Sequence, residues 1–228
     1  MPIRQQPQER RLKGKMDIVI CLDATGSMES CIEQLKNNLS TFIGNLTIKS
    51  GSQQIAPEWR ARLIYFRDLD ADSEAIVGFD FVNSEEELSR QINQVRAEGG
   101  GDDPESILDA IYTAIAKSNW REGVLHAVIA FTDAPPKERL HKKTIEAGED
   151  ASVGNIINKF TADRYSRLWV FCPSNEIYKE LEAIPRSNIT YVDSQGDVYQ
   201  GLSNLDFNKL LQELGKTLVV SASEIVRA

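Results

Sequence analysis

Apolar residues follow two rhythms along this chain, and the rhythms take turns. Nearly unbroken apolar runs at residues 16–22, 61–66, 124–131, 168–172 and 189–192 have the length and density of strands buried on both faces. Between them, apolar positions recur every three or four residues. Met28, Ile32, Leu35, Leu39, Phe42, Ile43 and Leu46 form one such stripe, and Ile107, Leu108, Ile111 and Ile115 another, each predicting a helix laid against the sheet. Glu85, Glu86 and Glu87 after Ser84 put acid at the start of a further helix, which stops at Gly99-Gly100-Gly101. Helices are also expected near 154–161, 176–183 and 205–220, with Pro104 as the first residue of the helix that follows Asp102 and Asp103. Residues 48–54 read as a polar, flexible connection.

One pair of runs breaks the alternation. Residues 61–66 and 75–82 are separated only by the polar stretch 67–74, too short for a parallel crossover, so they are expected to pair as an antiparallel hairpin. The whole pattern predicts an α/β fold: a doubly wound, mostly parallel six-stranded sheet with one antiparallel edge strand and helices on both faces.

Composition narrows the setting. With 41% apolar and 26% charged residues in 228, a single well-filled domain is expected over residues 16–220. A flexible basic tail (Arg4, Arg10, Arg11, Lys13, Lys15) occupies residues 1–15, and a short tail residues 221–228. A net charge of −8 argues against nucleic acid, which needs a concentrated basic face. No apolar core follows the N-terminal charges as in a secretory signal, and no apolar run approaches the ~18–20 residues of a membrane span. A cytoplasmic protein with no membrane partner is the expectation. Cys21, Cys31 and Cys172 are odd in number and lack Cys-x-x-Cys spacing, which speaks against a disulfide framework or a structural zinc site.

The candidate chemistry lies in three polar clusters. Asp23, Thr25 and Ser27 follow the first strand, Asp102 and Asp103 precede a helix, and Asp133 follows a later strand. In open α/β sheets ligands gather at the carboxyl ends of strands, and this topology can bring the clusters together there. They offer only oxygen, which suits magnesium and, as a substitute, manganese. Taken singly, Asp23, Thr25 and Ser27 are also good helix-capping residues, Asp102 and Asp103 a natural cap before Pro104, and Asp133 a turn residue. Arg67 and Asp68 are read either as a surface pair at the hairpin turn or as part of the rim. His126, inside an apolar strand, is expected as a satisfied core residue, and His141 as exposed; neither stands near a Ser or Cys in a way that suggests a triad. The glycine run lacks the Gly-Lys-Ser/Thr ending of a phosphate loop.

Asp23-x-Thr25-x-Ser27, Thr132-Asp133 and the Gly99-Gly100-Gly101-Asp102-Asp103-Pro104-Glu105 segment between them resemble the motifs of the von Willebrand factor type A domain and its metal-ion-dependent adhesion site. The resemblance extends from about Met16 to about Val220 and implies a Rossmann-like fold. Thr25 replaces the usual Ser and keeps its hydroxyl. The second motif departs from the family, which usually has a Thr after a Gly pair; Asp102 is carried over as the ligand in its place, with Asp103 the competing choice. That form, with Tyr65-Phe66-Arg67-Asp68 and Thr132-Asp133-Ala134-Pro135-Pro136, looks more like an intracellular branch that includes domains associated with atypical α-kinases.

The resemblance implies a non-enzymatic, divalent-metal-dependent protein-binding module, acting as an interaction or regulatory subunit in an intracellular complex linked to a kinase or ATPase. Its metal would be held by Asp23, Thr25, Ser27, Asp102 and Asp133, with Met28, Asp68, Asp103 and Pro135 on the rim. Another protein, through an acidic side chain, would complete the shell. Three carboxylates in place of two should hold the metal more firmly and attract that acidic ligand less. The competing function is a magnesium-dependent phosphohydrolase or phosphotransferase, with Asp103 and Glu105 as spare acids.

Overall fold

Strand β1 (Lys15–Asp23) is buried along almost its whole length because it has a strand on either side and helices above and below. In the computed structural model, which describes residues 14–46, 48–50, 53–55, 57–101, 103–192, 202 and 205–227, β1 pairs in parallel with β4 (Glu58–Phe66) and β6 (Leu125–Phe131). β7 (Ser166–Cys172) and β8 (Ser187–Tyr191) extend the parallel array, and β5 (Ile76–Gly78) closes the other edge antiparallel to β4. The order is β5-β4-β1-β6-β7-β8, the doubly wound, mostly parallel sheet of six that the apolar runs predict. The expected basic tail lies, over residues 1–13, outside the described residues, as does Asp102.

Alternate residues of β1 face opposite helical layers. Met16, Ile18, Ile20 and Leu22 pack with α1 (Glu29–Asn45), α2 (Glu85–Gln94) and α6 (Phe207–Arg227). Val19 and Cys21 pack with α3 (Ile107–Lys117), α4 (Val153–Ala162) and the five-residue α5 (Glu176–Glu180). The stripe read from Met28 to Leu46 is buried at Ile32, Leu35, Leu39 and Phe42, as its spacing requires. Replacing one of these large side chains by Ala should cost about 2–5 kcal/mol.

Several boundaries differ from the sequence reading. Helix α2 ends at Gln94 with Val95 already extended, five residues before the glycines expected to stop it. The polar connection after α1 carries a small antiparallel hairpin, β2 (Ile48–Ser50) with β3 (Gln53–Ile55), whose strands are too short to show an alternation. Helix α3 begins at Ile107 and not at Pro104. Glu105 instead makes a parallel bridge to Pro136, its N–H donating to Pro135 O at 2.9 Å and its carbonyl accepting from Lys137 N at 3.0 Å, so this backbone is engaged in strand-like pairing. The Asp103–Pro104 peptide is cis. The helix expected near 176–183 is α5 followed by a single 3-10 turn at Leu181–Ala183. Finally, α6 continues to Arg227, with Ala222 buried against Gly14.

Candidate metal centre

The parallel register sets Leu22 beside Phe131, so the loops leaving β1 and β6 start side by side. Asp23, fully buried, takes hydrogen bonds on both oxygens. Oδ1 accepts from Thr25 N at 2.9 Å and Thr25 Oγ1 at 2.7 Å, and Oδ2 from Thr132 Oγ1 at 2.6 Å. Ser27 Oγ donates to Asp133 Oδ1 at 3.1 Å across the gap between the loops. Thr25 and Ser27 have thereby spent their single hydroxyl protons on carboxylates. Their oxygens, 3.4 Å apart, turn only lone pairs to each other. The edge of an octahedron with ~2.1 Å metal–oxygen bonds is about 3.0 Å, so the pair is spaced for two adjacent ligand positions.

The capping role open to these residues is not the one they take. Thr25 flanks the 3-10 turn Gly26–Met28 and Met28 flanks α1, yet neither makes a side-chain capping hydrogen bond. The hydroxyls point to carboxylates instead.

Electrostatics favour a cation at this point. Burial pushes the Asp133 carboxyl up to about 7, with the Asp23 charge adding to it and the Ser27 hydrogen bond opposing it. Burial also raises Asp23, against the hydrogen bonds from Thr132 and Thr25. Asp133 is 2% exposed, and its Oδ2 has no hydrogen-bond partner. An unmatched carboxylate oxygen in a buried setting costs free energy that a bound cation would relieve. Among the described residues no three acidic, His or Cys side chains converge tightly enough to chelate a metal alone, so the two hydroxyls are needed to complete a donor set. That mixed set of hard oxygens fits a magnesium-class ion.

The β4–β5 turn holds the loops in place. Arg67, 8% exposed, donates from Nε to Ala24 O at 3.3 Å and from Nη2 to Arg96 O at 3.0 Å, joining the loop after β1 to the segment leading into the glycines. Glu98 N also reaches Ala24 O, at 3.0 Å, and Gly26 N reaches Gly99 O at 3.4 Å. Asp72 Oδ2 accepts from Asp68 N at 3.2 Å and Gly100 N at 3.1 Å. Arg67 and Asp68 are therefore not a surface pair. Arg67 is a buried clamp, and Asp68 is 5% exposed and ion-paired with Lys137 at 2.8 Å.

The expected rim is met only in part. Met28 is 1% exposed because it packs into the α1 side of the core, so it is not a rim residue. Asp68 is occupied as an anchor. Asp103 is exposed, and its charge raises Asp23 and Asp133, while Pro135 is half-buried with its carbonyl held by Glu105. Sequence reasoning did not find Asp72, whose place in an acidic turn gives no sign that it reaches Gly100. Arg67 had a signal: a cation closing an apolar strand must find carbonyls or acids once buried. His126 is the satisfied core residue expected, 7% exposed between Asp163 Oδ2 at 2.6 Å and Arg121 O at 2.7 Å.

Comparison with known proteins agrees with this geometry. The sequence pattern of the von Willebrand factor A domain family matches residues 17–183. Alpha-protein kinase vwkA of Dictyostelium discoideum is 31% identical over 120 residues, 53% of this chain and 18% of the kinase. A putative ariadne-like RING finger protein R811 of Acanthamoeba polyphaga mimivirus is 30% identical over 126 residues, 54% of this chain and 11% of that protein. The chain thus matches less than a fifth of either relative's length. Among solved structures, proximal thread matrix protein 1 of the mussel byssus superposes with a TM-score of 0.60 at 15% identity, over 91% of this chain and 47% of that one. The same protein with a zinc-occupied MIDAS motif gives 0.59 at 17% identity, over 91% and 46%. At such identities the likeness to the byssus protein shows the fold alone.

Proposed function

This chain belongs to the von Willebrand factor A family, and from that premise we propose that it is a protein-binding module whose contact is completed through a divalent cation. The observation that carries the reading is the buried, unpartnered Oδ2 of Asp133 beside two hydroxyl oxygens that present only lone pairs. Asp23, Thr25, Ser27 and Asp133 hold the ion, with Asp102 as the further ligand in the second motif. Magnesium is the preferred occupant and manganese the substitute, because every donor is a hard oxygen. The bound ion supplies a Lewis-acidic position for an oxygen of the partner, here the carboxylate of another protein's Asp or Glu.

The kinase among its relatives supports a place in a larger, kinase-linked assembly in which this domain recognises and another part acts; a cytoplasmic setting and a link to an ATPase are part of the same proposal. No catalytic role is proposed.

Manganese titration followed by water-proton relaxation tests the reading. One ion should bind with a strong relaxation effect from an exchanging water, and a Glu-containing peptide should lower that effect. Ser27→Ala and Asp133→Asn should weaken the ion by at least about tenfold. Failure of wild type to bind, or binding indifferent to both substitutions, would overturn it. Hydrolysis of p-nitrophenyl phosphate that disappears in Asp23→Ala would favour the enzymatic alternative.

A further inference from the structure

Glu105 has an environment that its backbone role does not explain. The bridge to Pro136 pins its main chain beside the loop that carries Asp133. Its side chain is then turned inward, 4% exposed, with Oε2 lacking any hydrogen-bond partner. Asp133 Oδ2 and Asp109 Oδ2 are the other buried carboxylate oxygens left so among the described residues. Asp109 belongs elsewhere: it lies on α3 and accepts from His141 N at 2.8 Å. Glu105 and Asp133 both feel the charge of Asp23, and the bridge of Glu105 is to a residue three positions beyond Asp133.

Gly100 shows which way the Glu105 carboxyl faces. A Cβ at this residue would stand 2.9 Å from Glu105 Oε1 and 2.7 and 2.9 Å from Thr25 Cγ2 and Cβ. The acid and the threonine thus look at each other across a gap that only the missing side chain leaves open. The backbone there has φ +74°, which glycine adopts without strain.

We propose that Glu105 is a further carboxylate of the metal centre, presenting Oε2 to the cation across one metal-held water. The inference rests on the cation site proposed above and gives Glu105, read from the sequence only as a spare acid, a part in holding the ion. In the metal-free protein the buried Oε2 of Glu105 has no compensating partner. A purely structural acid would be neutral and would aim its proton at an acceptor, yet Oε2 has none. A cation answers both facts. It also places a third formal negative charge on the described side of the site, after Asp23 and Asp133 and independently of Asp102, so the net electrophilicity felt by an acidic partner is lowered.

Glu105→Gln separates the two roles, because it keeps the shape and removes the charge. Calorimetric titration of magnesium and manganese into the full chain should show affinity reduced at least about tenfold, as for loss of a metal-site carboxylate. In chelator the melting temperature of Glu105→Gln should equal or exceed that of wild type. Glu105→Asp, with the charge retained on a shorter arm, should recover part of the affinity. Wild-type-like affinity in Glu105→Gln, within about twofold, would overturn the proposal and leave the site reading standing. A melting temperature in chelator that falls in Glu105→Gln would also overturn it, marking the acid as structural. If wild type binds neither ion, both readings fail together, and Asp133→Asn, which reports on the site without Glu105, would then be equally silent.

Discussion

Strand β1 carries a buried aspartate near each end, and the protein surrounds the two in opposite ways. Asp17 is 0% exposed and accepts from Arg60 Nε at 2.8 Å and Nη2 at 2.7 Å, and from Arg121 N and Nε, both at 2.8 Å. Arg121 also holds Met16 O and pairs with Glu58, and Arg60 lies 4.1 Å over the Phe81 ring. Asp23, equally buried, has hydroxyls and one backbone amide for partners, with Asp133 and Glu105 adding to the negative charge around it. Burial is the same at both ends; only the source of compensation differs. Where the chain supplies its own cations the acid belongs to the fold, and where it does not, the acid is available for something from outside.

The largest effect should come from the end that is already matched. Asp17→Ala leaves two guanidinium groups facing an empty buried position, and breaking such a pair costs about 3–5 kcal/mol. Urea unfolding should show this loss equally with magnesium and with chelator. A loss below about 1 kcal/mol would mean that the arginines find water, and the contrast between the ends would weaken.

At the other end the dependence on conditions should be reversed. Asp23→Asn should change stability little in chelator, because the amide oxygen can keep the Thr25 hydrogen bonds while a buried charge with no cation beside it is removed. What it should abolish is the stabilisation by metal, about 2.7 kcal/mol in wild type when the ion is at a hundred times its dissociation constant. Thermal melts with and without magnesium check this, and an equal metal-induced shift in both proteins would refute it.

A smaller loss is expected at the clamp. Arg67→Ala removes charged hydrogen bonds to Ala24 O and Arg96 O, at a cost of about 1–3 kcal/mol. Metal affinity should fall too, although Arg67 touches none of the proposed ligands' side chains. Arg67→Lys should restore stability only in part, since one ammonium cannot span both carbonyls in fork geometry.

The smallest effect is a pH dependence at the Asp17 end. Burial pulls the His126 pKa down, but the Asp163 hydrogen bond, the Arg121 carbonyl and the charges of Asp163 and Asp17 outweigh it, so the net shift is upward from 6.5. Its contribution is therefore complete below pH 6.5 and fades as pH rises through the higher folded value. Asp163 is shifted down from 3.8: burial opposes this, and the His126 hydrogen bond and charge prevail. Its share is present above pH 3.8 and fades as pH falls through the lower folded value. Between those limits the pair contributes most, and His126→Gln should lower that plateau and remove the decline on either side of it.

The sequence made the sheet legible because its parallel strands are buried on both faces and read as dense apolar runs, with 67–74 too short for anything but a hairpin. Asp23, Thr25, Ser27 and Asp133 were legible for a related reason: in this topology residues just beyond strand ends converge, whatever their distance along the chain. The second motif was harder to read. Pro104 after two aspartates looks like a helix start, and only the pairing of Glu105 with Pro135 and Lys137 shows that the backbone is extended there. The same long-range contact sets the backbone from which Glu105 turns inward, a burial that no local pattern announces. Arg67 and Asp72 were opaque because their partners, Ala24, Arg96 and Gly100, are carbonyls and an amide, groups that every residue has.

Gly100 offers a practical tool. An alanine methyl there would meet Thr25 and Glu105 at less than 3 Å on a backbone with positive φ, for a strain of about 1–2 kcal/mol. Gly100→Ala would thus jam the gap while leaving every proposed donor chemically intact. A cell expressing it would carry a correctly charged, full-length protein whose pocket is plugged. Whatever phenotype followed would report on the vacancy between Thr25 and Glu105, and not on the loss of an acid.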